Sequence, residues 1–246
     1  MAETTGTDLG FLKENYEAVC ERLDRAVRAA GRARSEVALI AVSKLHPAEM
    51  VLAVAALGQV DFGENYVQEA LEKREACVGA PGSERIRWHM IGHVQSRKAP
   101  KVAGAFPLIH TLDSLRLAQG LEKRCAELAV TQEVLVEVNV GDEEQKSGVR
   151  FDEVARLVDD VQATCPHLAL RGLMCIPPVY NGGEAARPYF AALRETRDRL
   201  VARTGLSLPH LSMGMSGDFE WAVLEGATFV RVGTDIFGAR PPKKNA

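Results

Sequence analysis

No apolar run in this chain approaches the ~18 residues that a membrane-spanning helix needs, so no membrane segment is expected. The opening residues MAETTGTDLG lack the basic-then-apolar layout of a secretory signal. Cysteine is sparse and scattered: Cys20, Cys77, Cys125, Cys165 and Cys175 are odd in number and form no C-x-x-C pair. That pattern argues against a disulfide framework and predicts reduced thiols in a cytoplasmic protein. Neither sign of charge dominates. Thirty Lys and Arg face 33 Asp and Glu, a net charge of -3, without the basic surplus a general nucleic-acid binder needs. No Gly-x-Ser-x-Gly elbow surrounds Ser147, so it reads as a turn residue and not a nucleophile. His89, His93 and His110 have no carboxylate or Cys at ligand spacing; they read as packing histidines, and no metal site is expected. No low-complexity linker interrupts the 246 residues, so residues 1–246 are expected to form a single domain.

What the chain has is a regular alternation. An amphipathic helix is predicted over 8–30, with Leu12, Tyr16, Val19, Leu23 and Val27 on one face, Asp8 as N-cap and Gly31 as stop. Apolar, β-branched runs then predict strands at 37–43, near 60–62, and at 87–92, 108–111, 134–139, 168–176, 211–213 and 228–232. Between them the spacing predicts helices over 47–57, 65–76, from 96, after Ser114, over 151–162 and 184–202, and from 216. The helix capped by Ser114 would bury Leu117, Leu121, Cys125 and Leu128. Eight strands alternating with helices between residues 37 and 238 predict a closed (β/α)8 barrel of the TIM type with an extra N-terminal helix. Residues 240–244 read as a frayed tail.

Such a barrel gathers its strand ends on one face, where sites are built. Lys44 ends the first strand, Gly63-Glu64-Asn65 follows the second, Asn139 ends the fifth and Met174 lies in the sixth. Met213-Gly214-Met215-Ser216-Gly217-Asp218 ends the seventh, and Gly233-Thr234 the eighth. Barrel phosphate sites favour the loops after strands seven and eight, and here each offers a glycine and a hydroxyl, from Ser216 and Thr234. Arg231 lies inside the apolar run of the last strand and needs an acceptor: a ligand phosphate, a ring nitrogen, or a carboxylate such as Glu64 or Asp218. A lysine amine facing a phosphate site suggests an aldehyde-bearing phosphorylated ligand. Pyridoxal 5'-phosphate (PLP) fits, with its aldehyde as an imine on lysine.

Several motifs carry a specific resemblance. They are Ala41-Val42-Ser43-Lys44 followed by Pro47, Phe62-Gly63-Glu64-Asn65-Tyr66-Val67-Gln68-Glu69, Trp88-His89-Met90-Ile91-Gly92-His93-Val94-Gln95 and Lys146-Ser147-Gly148. Further on come Arg171-Gly172-Leu173-Met174, Leu211-Ser212-Met213-Gly214-Met215-Ser216 and Arg231-Val232-Gly233-Thr234-Asp235-Ile236-Phe237-Gly238. Together they resemble the YggS/PROSC family of pyridoxal phosphate homeostasis proteins. One departure is Ser96-Arg97-Lys98 after Gln95, where the family has an Asn before the Lys. The resemblance implies a barrel like the N-terminal domain of alanine racemase, with PLP on Lys44. It implies Ser216, Gly233 and Thr234 on the phosphate, Asn65 and Arg231 near the ring, and Met213 as a further cofactor-site residue. The function implied is a carrier or buffer of PLP in vitamin B6 and amino-acid homeostasis, with no catalytic residue, acting as a cytoplasmic monomer. PLP-dependent apoenzymes would be its recipients. The alternative is a PLP-dependent amino-acid racemase or decarboxylase. Such barrels resemble one another in a further β-rich domain that completes the site, and only a short stretch follows Gly233-Thr234 here.

Overall fold

The computed structural model describes residues 9–178 and 182–239. Asp8 and the tail beginning at residue 240 lie outside the described residues, so the expectations placed on them do not enter the fold. The helix α1 spans Gly10–Ala29 and buries Leu12, Val19, Leu23 and Val27. Its 3.6-residue apolar stripe fits a helix with one covered face. The barrel strands are β1 Ala38–Val42, β2 Asp61–Glu64, β3 Arg87–Met90 and β4 Leu108–Leu112. They continue with β5 Gln132–Val138, β6 Leu168–Cys175, β7 His210–Ser212 and β8 Phe229–Val232. Each pairs in parallel with the next, and β8 closes on β1 with Ala38 opposite Phe229 and Ala41 opposite Val232. The predicted (β/α)8 barrel is the observed fold.

Helices follow the strands: α2 Ala48–Ala56, α3 Val67–Cys77, α4 Ala99–Val102 and α5 Leu115–Leu128. After these come α6 Val154–Thr164, α7 Arg187–Thr204, α8 Phe219–Leu224 and α9 Thr234–Phe237. Ser114 caps α5 as expected, its hydroxyl accepting from the Leu117 amide at 3.3 Å. Leu128 departs from expectation: it is the last residue of α5, at the end of the helix, and is 40% exposed. The segment after β3 also forms less helix than the spacing predicts, a 3-10 turn over Ser96–Lys98 and a single turn of α4.

The strands read as continuous apolar runs because both faces are covered. Leu39 and Ala41 pack outward against the helices, while Ile40 packs inward with Leu108, Leu135, Met174 and Phe229. Gly63 points into the same interior, where a Cβ would come 2.7 Å from Ile91 and 2.8 Å from Ile40. A side chain at 63 would therefore push β2 away from its neighbours. Among the described residues no helix is long and apolar enough to cross a membrane.

Candidate functional site

The C-terminal strand ends surround a cavity of about 270 Å³. Lys44 reaches it from the β1 end, Asn65 from the β2 end and Ser216 from the β7 loop. Arg231 lines it from within β8, with Gly233 and Thr234 just beyond. Six of the seven residues singled out in the sequence thus meet in one place. Met213 does not join them. It is fully buried in the core between the sheet and the helices, because it falls on the outward-facing alternation that starts at Leu211. The lining also includes Met215 and Gly217 of the β7 loop, and Val42, His46, Ile91 and Ile176, which were not singled out as site residues. His46 has the clearest missed signal: it is two residues beyond Lys44, and its buried ring stacks on Phe237 with centroids 5.2 Å apart.

The loop carrying Lys44 is clamped from outside the barrel. Leu45 has φ 65°, a left-handed conformation that costs a non-glycine residue about 1–2 kcal/mol. Its amide donates to Glu69 Oε1 at 2.5 Å. Lys73 Nζ, on α3, donates to the Ser43 carbonyl at 2.7 Å and to Glu64 Oε1 at 2.6 Å, and it reaches Glu69 Oε1 at 2.9 Å. Ser43 Oγ donates to the same Glu64 oxygen at 2.6 Å. Burial pushes the Glu64 carboxyl up, and the Lys73 charge and these hydrogen bonds offset only part of that. Glu64 therefore faces α3 and is not a partner of Arg231.

On the opposite side of the cavity the two loops are tied together by α1. Arg22 Nε donates to Glu220 Oε1 at 2.8 Å, Nη1 to Asp235 Oδ2 at 2.6 Å, and Nη2 to the Ser216 carbonyl at 3.0 Å. Asn15 Nδ2 adds a bond to the Ile236 carbonyl at 3.1 Å. The helix that precedes the repeating unit thus braces both the β7 and β8 loops. Asp218 Oδ1 accepts from the Met215 amide at 2.6 Å, and α8 starts only at Phe219, so Ser216 does not cap that helix. The hydroxyls of Ser216 and Thr234 form no hydrogen bond with another described residue. Gly233 lets the chain pass Val42, whose carbonyl oxygen would sit 3.2 Å from a Cβ there.

Arg231 is 4% exposed and donates through Nη1 to Ser212 Oγ at 2.7 Å and through Nη2 to the Cys175 carbonyl at 2.9 Å. Among the described residues no carboxylate forms an ion pair with it, and Asp218 is committed to the Met215 amide. Two of the three histidines have a carboxylate within reach across the fold, and none at ligand spacing along the chain. His89 Nε2 lies 2.9 Å from Asp61 Oδ1, and His93 Nδ1 lies 3.0 Å from Asp113 Oδ2. Tertiary pairing across strands supplied what sequence spacing did not reveal. Among the described residues no group of His, Cys, Asp and Glu could hold a metal ion. The departing Ser96-Arg97-Lys98 segment does not line the cavity; Arg97 Nε donates to its neighbour Gln95 at 2.9 Å.

A closed parallel barrel with a lysine on one side of its mouth and two hydroxyl-bearing loops from β7 and β8 on the other defines a class. It is that of (β/α)8 proteins that take a small anionic ligand at the C-terminal face. Within that class the chain belongs to the family of pyridoxal phosphate homeostasis proteins, built on the alanine racemase N-terminal domain, whose family model matches residues 8–241. A pyridoxal phosphate homeostasis protein of Aquifex aeolicus is 42% identical, over 92% of this chain and 97% of that protein. One of Escherichia coli is 40% identical, over 95% of this chain and 98% of that protein. Among solved structures, PipY of Synechococcus elongatus with PLP bound is 34% identical with a TM-score of 0.76, over 88% of this chain and all of PipY. Alanine racemase of Corynebacterium glutamicum, at 18% identity and a TM-score of 0.66, shares the fold over 94% of this chain and 63% of that enzyme.

Proposed function

We propose that this chain binds PLP in the mouth cavity and holds, buffers and hands on the cofactor without turning over amino acids. The observation that carries this reading is the placing in one cavity of Lys44 and of the Ser216 and Thr234 hydroxyls, which form no hydrogen bond among the described residues. When bound, PLP supplies an aldehyde for an amine to capture and a phosphate dianion to anchor. Lys44 would hold the aldehyde carbon, while Ser216, Gly233 and Thr234 would hold the phosphate. Asn65 and Arg231 would lie along the ring. Asn65 Oδ1 is buried without a hydrogen-bond partner, which suits an acceptor kept for a ligand donor.

A carrier role follows from what the lining offers. Racemisation needs a base on each face of the substrate carbon. Lys44, His46 and Arg231 are the titratable side chains lining the cavity among the described residues, and His46 shares the loop of Lys44 and packs on Phe237. Arg231, which would lie beside the ring, would disfavour a second positive charge on the ring nitrogen. The protein acts as a cytoplasmic monomer, and its recipients are PLP-dependent apoenzymes.

The test is to incubate the PLP-loaded protein with common L-amino acids in deuterium oxide. Slow exchange without net product, together with recovery of activity when a PLP-dependent apoenzyme is added, is expected. Turnover of about 1 per second or faster would instead establish a racemase or decarboxylase.

A further inference from the structure

Arg231 is one end of a hydrogen-bond chain that crosses the barrel interior. At the other end Asp61, the first residue of β2, accepts from Arg87 Nη2 at 2.7 Å and lies 2.9 Å from His89 Nε2. His89 Nδ1 lies 3.0 Å from His110 Nε2, and His110 Nδ1 lies 2.8 Å from Ser212 Oγ. Ser212 Oγ then accepts from Arg231 Nη1 at 2.7 Å. Asp61, His89, His110, Ser212 and Arg231 come from β2, β3, β4, β7 and β8, and none is more than 4% exposed. The ring of Phe229 packs edge-on against both histidines, with centroids 5.6 and 5.5 Å away, and closes the chain off from below.

Each link fixes the next. Asp61 is a carboxylate beside two donors and can only accept, so His89 carries its proton on Nε2. Burial, with His89 and Arg231 nearby, disfavours a positive charge on His110. With its proton on Nε2, His89 accepts on Nδ1, and the proton of His110 then lies on Nε2. His110 Nδ1 is left as an acceptor and takes the hydroxyl proton of Ser212. The lone pairs of Ser212 are thereby turned to Arg231. With one proton on each ring, a single arrangement satisfies every bond.

We propose that this chain positions Arg231 for the cofactor, and that Asp61, at the far end of the barrel, is a positioning residue acting through His89, His110 and Ser212. The proposal rests on the cavity being the PLP site. Without Asp61 as an obligate acceptor, both histidines become free to reverse, Ser212 can turn its proton toward Arg231, and the guanidinium loses its seat.

The test uses the full chain with 15N-labelled histidine, free of ligand, in long-range 1H–15N correlation spectra at neutral pH. Wild type is expected to show His89 and His110 each carrying a proton on Nε2, with His110 Nδ1 bare. Protonation of His110 on Nδ1 would overturn the proposal whatever the protein binds. Asp61→Asn, which can donate or accept at the same place, should mix or reverse the His110 tautomer. Both Asp61→Asn and Ser212→Ala should weaken PLP about tenfold, the loss of one charge-assisted bond. Their double variant should be no weaker than the worse single one, since both act through one chain. Additive losses, or unchanged PLP affinity in Ser212→Ala, would refute the coupling. If wild type shows the expected tautomers but takes up no PLP, the cofactor reading fails and the cofactor role proposed for the chain falls with it.

Discussion

Arg22 offers a sharp test of how the two anion-facing loops are held. Its side chain is 30% exposed, lies over the Phe219 ring at 4.6 Å, and ties Glu220, Asp235 and the Ser216 carbonyl together. Burial alone would lower its pKa, but the two carboxylates overcome that and raise it, so the guanidinium and both acids share one charge cluster. Arg22→Met keeps the stem over Phe219 and removes the charge. Ion pairs this exposed contribute about 0.2–1 kcal/mol each, so the fold should lose only about 1–2 kcal/mol. The larger effect should fall on the ligand. Glu220 and Asp235 would be unmasked beside a phosphate dianion, a repulsion of about 1–2 kcal/mol at the effective dielectric near a protein surface. PLP binding, followed by absorbance titration, should weaken about five- to thirtyfold. Pyridoxal, which lacks the phosphate, should change less than about twofold by the same reasoning. Because the repulsion is screened by ions, 0.5 M salt should close much of the gap between variant and wild type. Equal losses for PLP and pyridoxal, or a gap indifferent to salt, would show that α1 merely braces the fold.

Ser216→Ala with Thr234→Val should weaken PLP by about ten- to a hundredfold per hydroxyl, since each bond to an ionised partner contributes about 1.5–3 kcal/mol. Competition with inorganic phosphate should lose strength in parallel, and retained phosphate competition would contradict the assignment. Lys73→Met should destabilise the chain by about 3–5 kcal/mol in urea unfolding at pH 7, because it strands Glu64 in the interior. A loss under about 1 kcal/mol would show that Glu64 is already neutral there. Glu137, at the end of β5, is pushed up from 4.5 to about 7 by burial, with the Ser147 hydrogen bond opposing and Asp113 adding to the rise. The folded chain then binds this proton more tightly than the unfolded one, so stability declines as pH rises from the unfolded value towards 7 and stays reduced above it. The penalty is on the order of 3 kcal/mol. Glu137→Gln should flatten that decline between pH 5 and pH 8 in urea unfolding, and an unchanged slope would contradict the burial argument.

The barrel was legible because a parallel sheet covered on both faces leaves runs such as Val37–Val42 and Val134–Val138, separated by helix-length segments with capping residues. That the candidate residues would line one cavity was legible for a related reason: a barrel brings all its strand ends to one rim, so Lys44, Asn65, Ser216 and Thr234 could be read together. What stayed hidden depends on partners that sequence distance conceals. Arg22 looked like one charge among many on an amphipathic helix, yet it bonds residues nearly two hundred positions away. Lys73 carried no signal of its own; it is buried because the inward Gly63 turns Glu64 outward to meet it. Asp61 and His89 sit on different strands, so no spacing rule connects them. Met213 was misplaced because a motif does not reveal which of its alternating residues faces the core. Strand register decides that, and here it sends Ser212 inward and Met213 outward.

The central claim is that Lys44 carries the cofactor, and borohydride reduction of the PLP-loaded protein followed by peptide mapping tests it most directly. The pyridoxyl group is expected on Lys44, in the peptide containing Val42-Ser43-Lys44-Leu45, and Lys44→Ala should remove it while the Ser216 and Thr234 loops retain weaker, reversible PLP binding. Finding the pyridoxyl group on another lysine, or on none, would contradict the account.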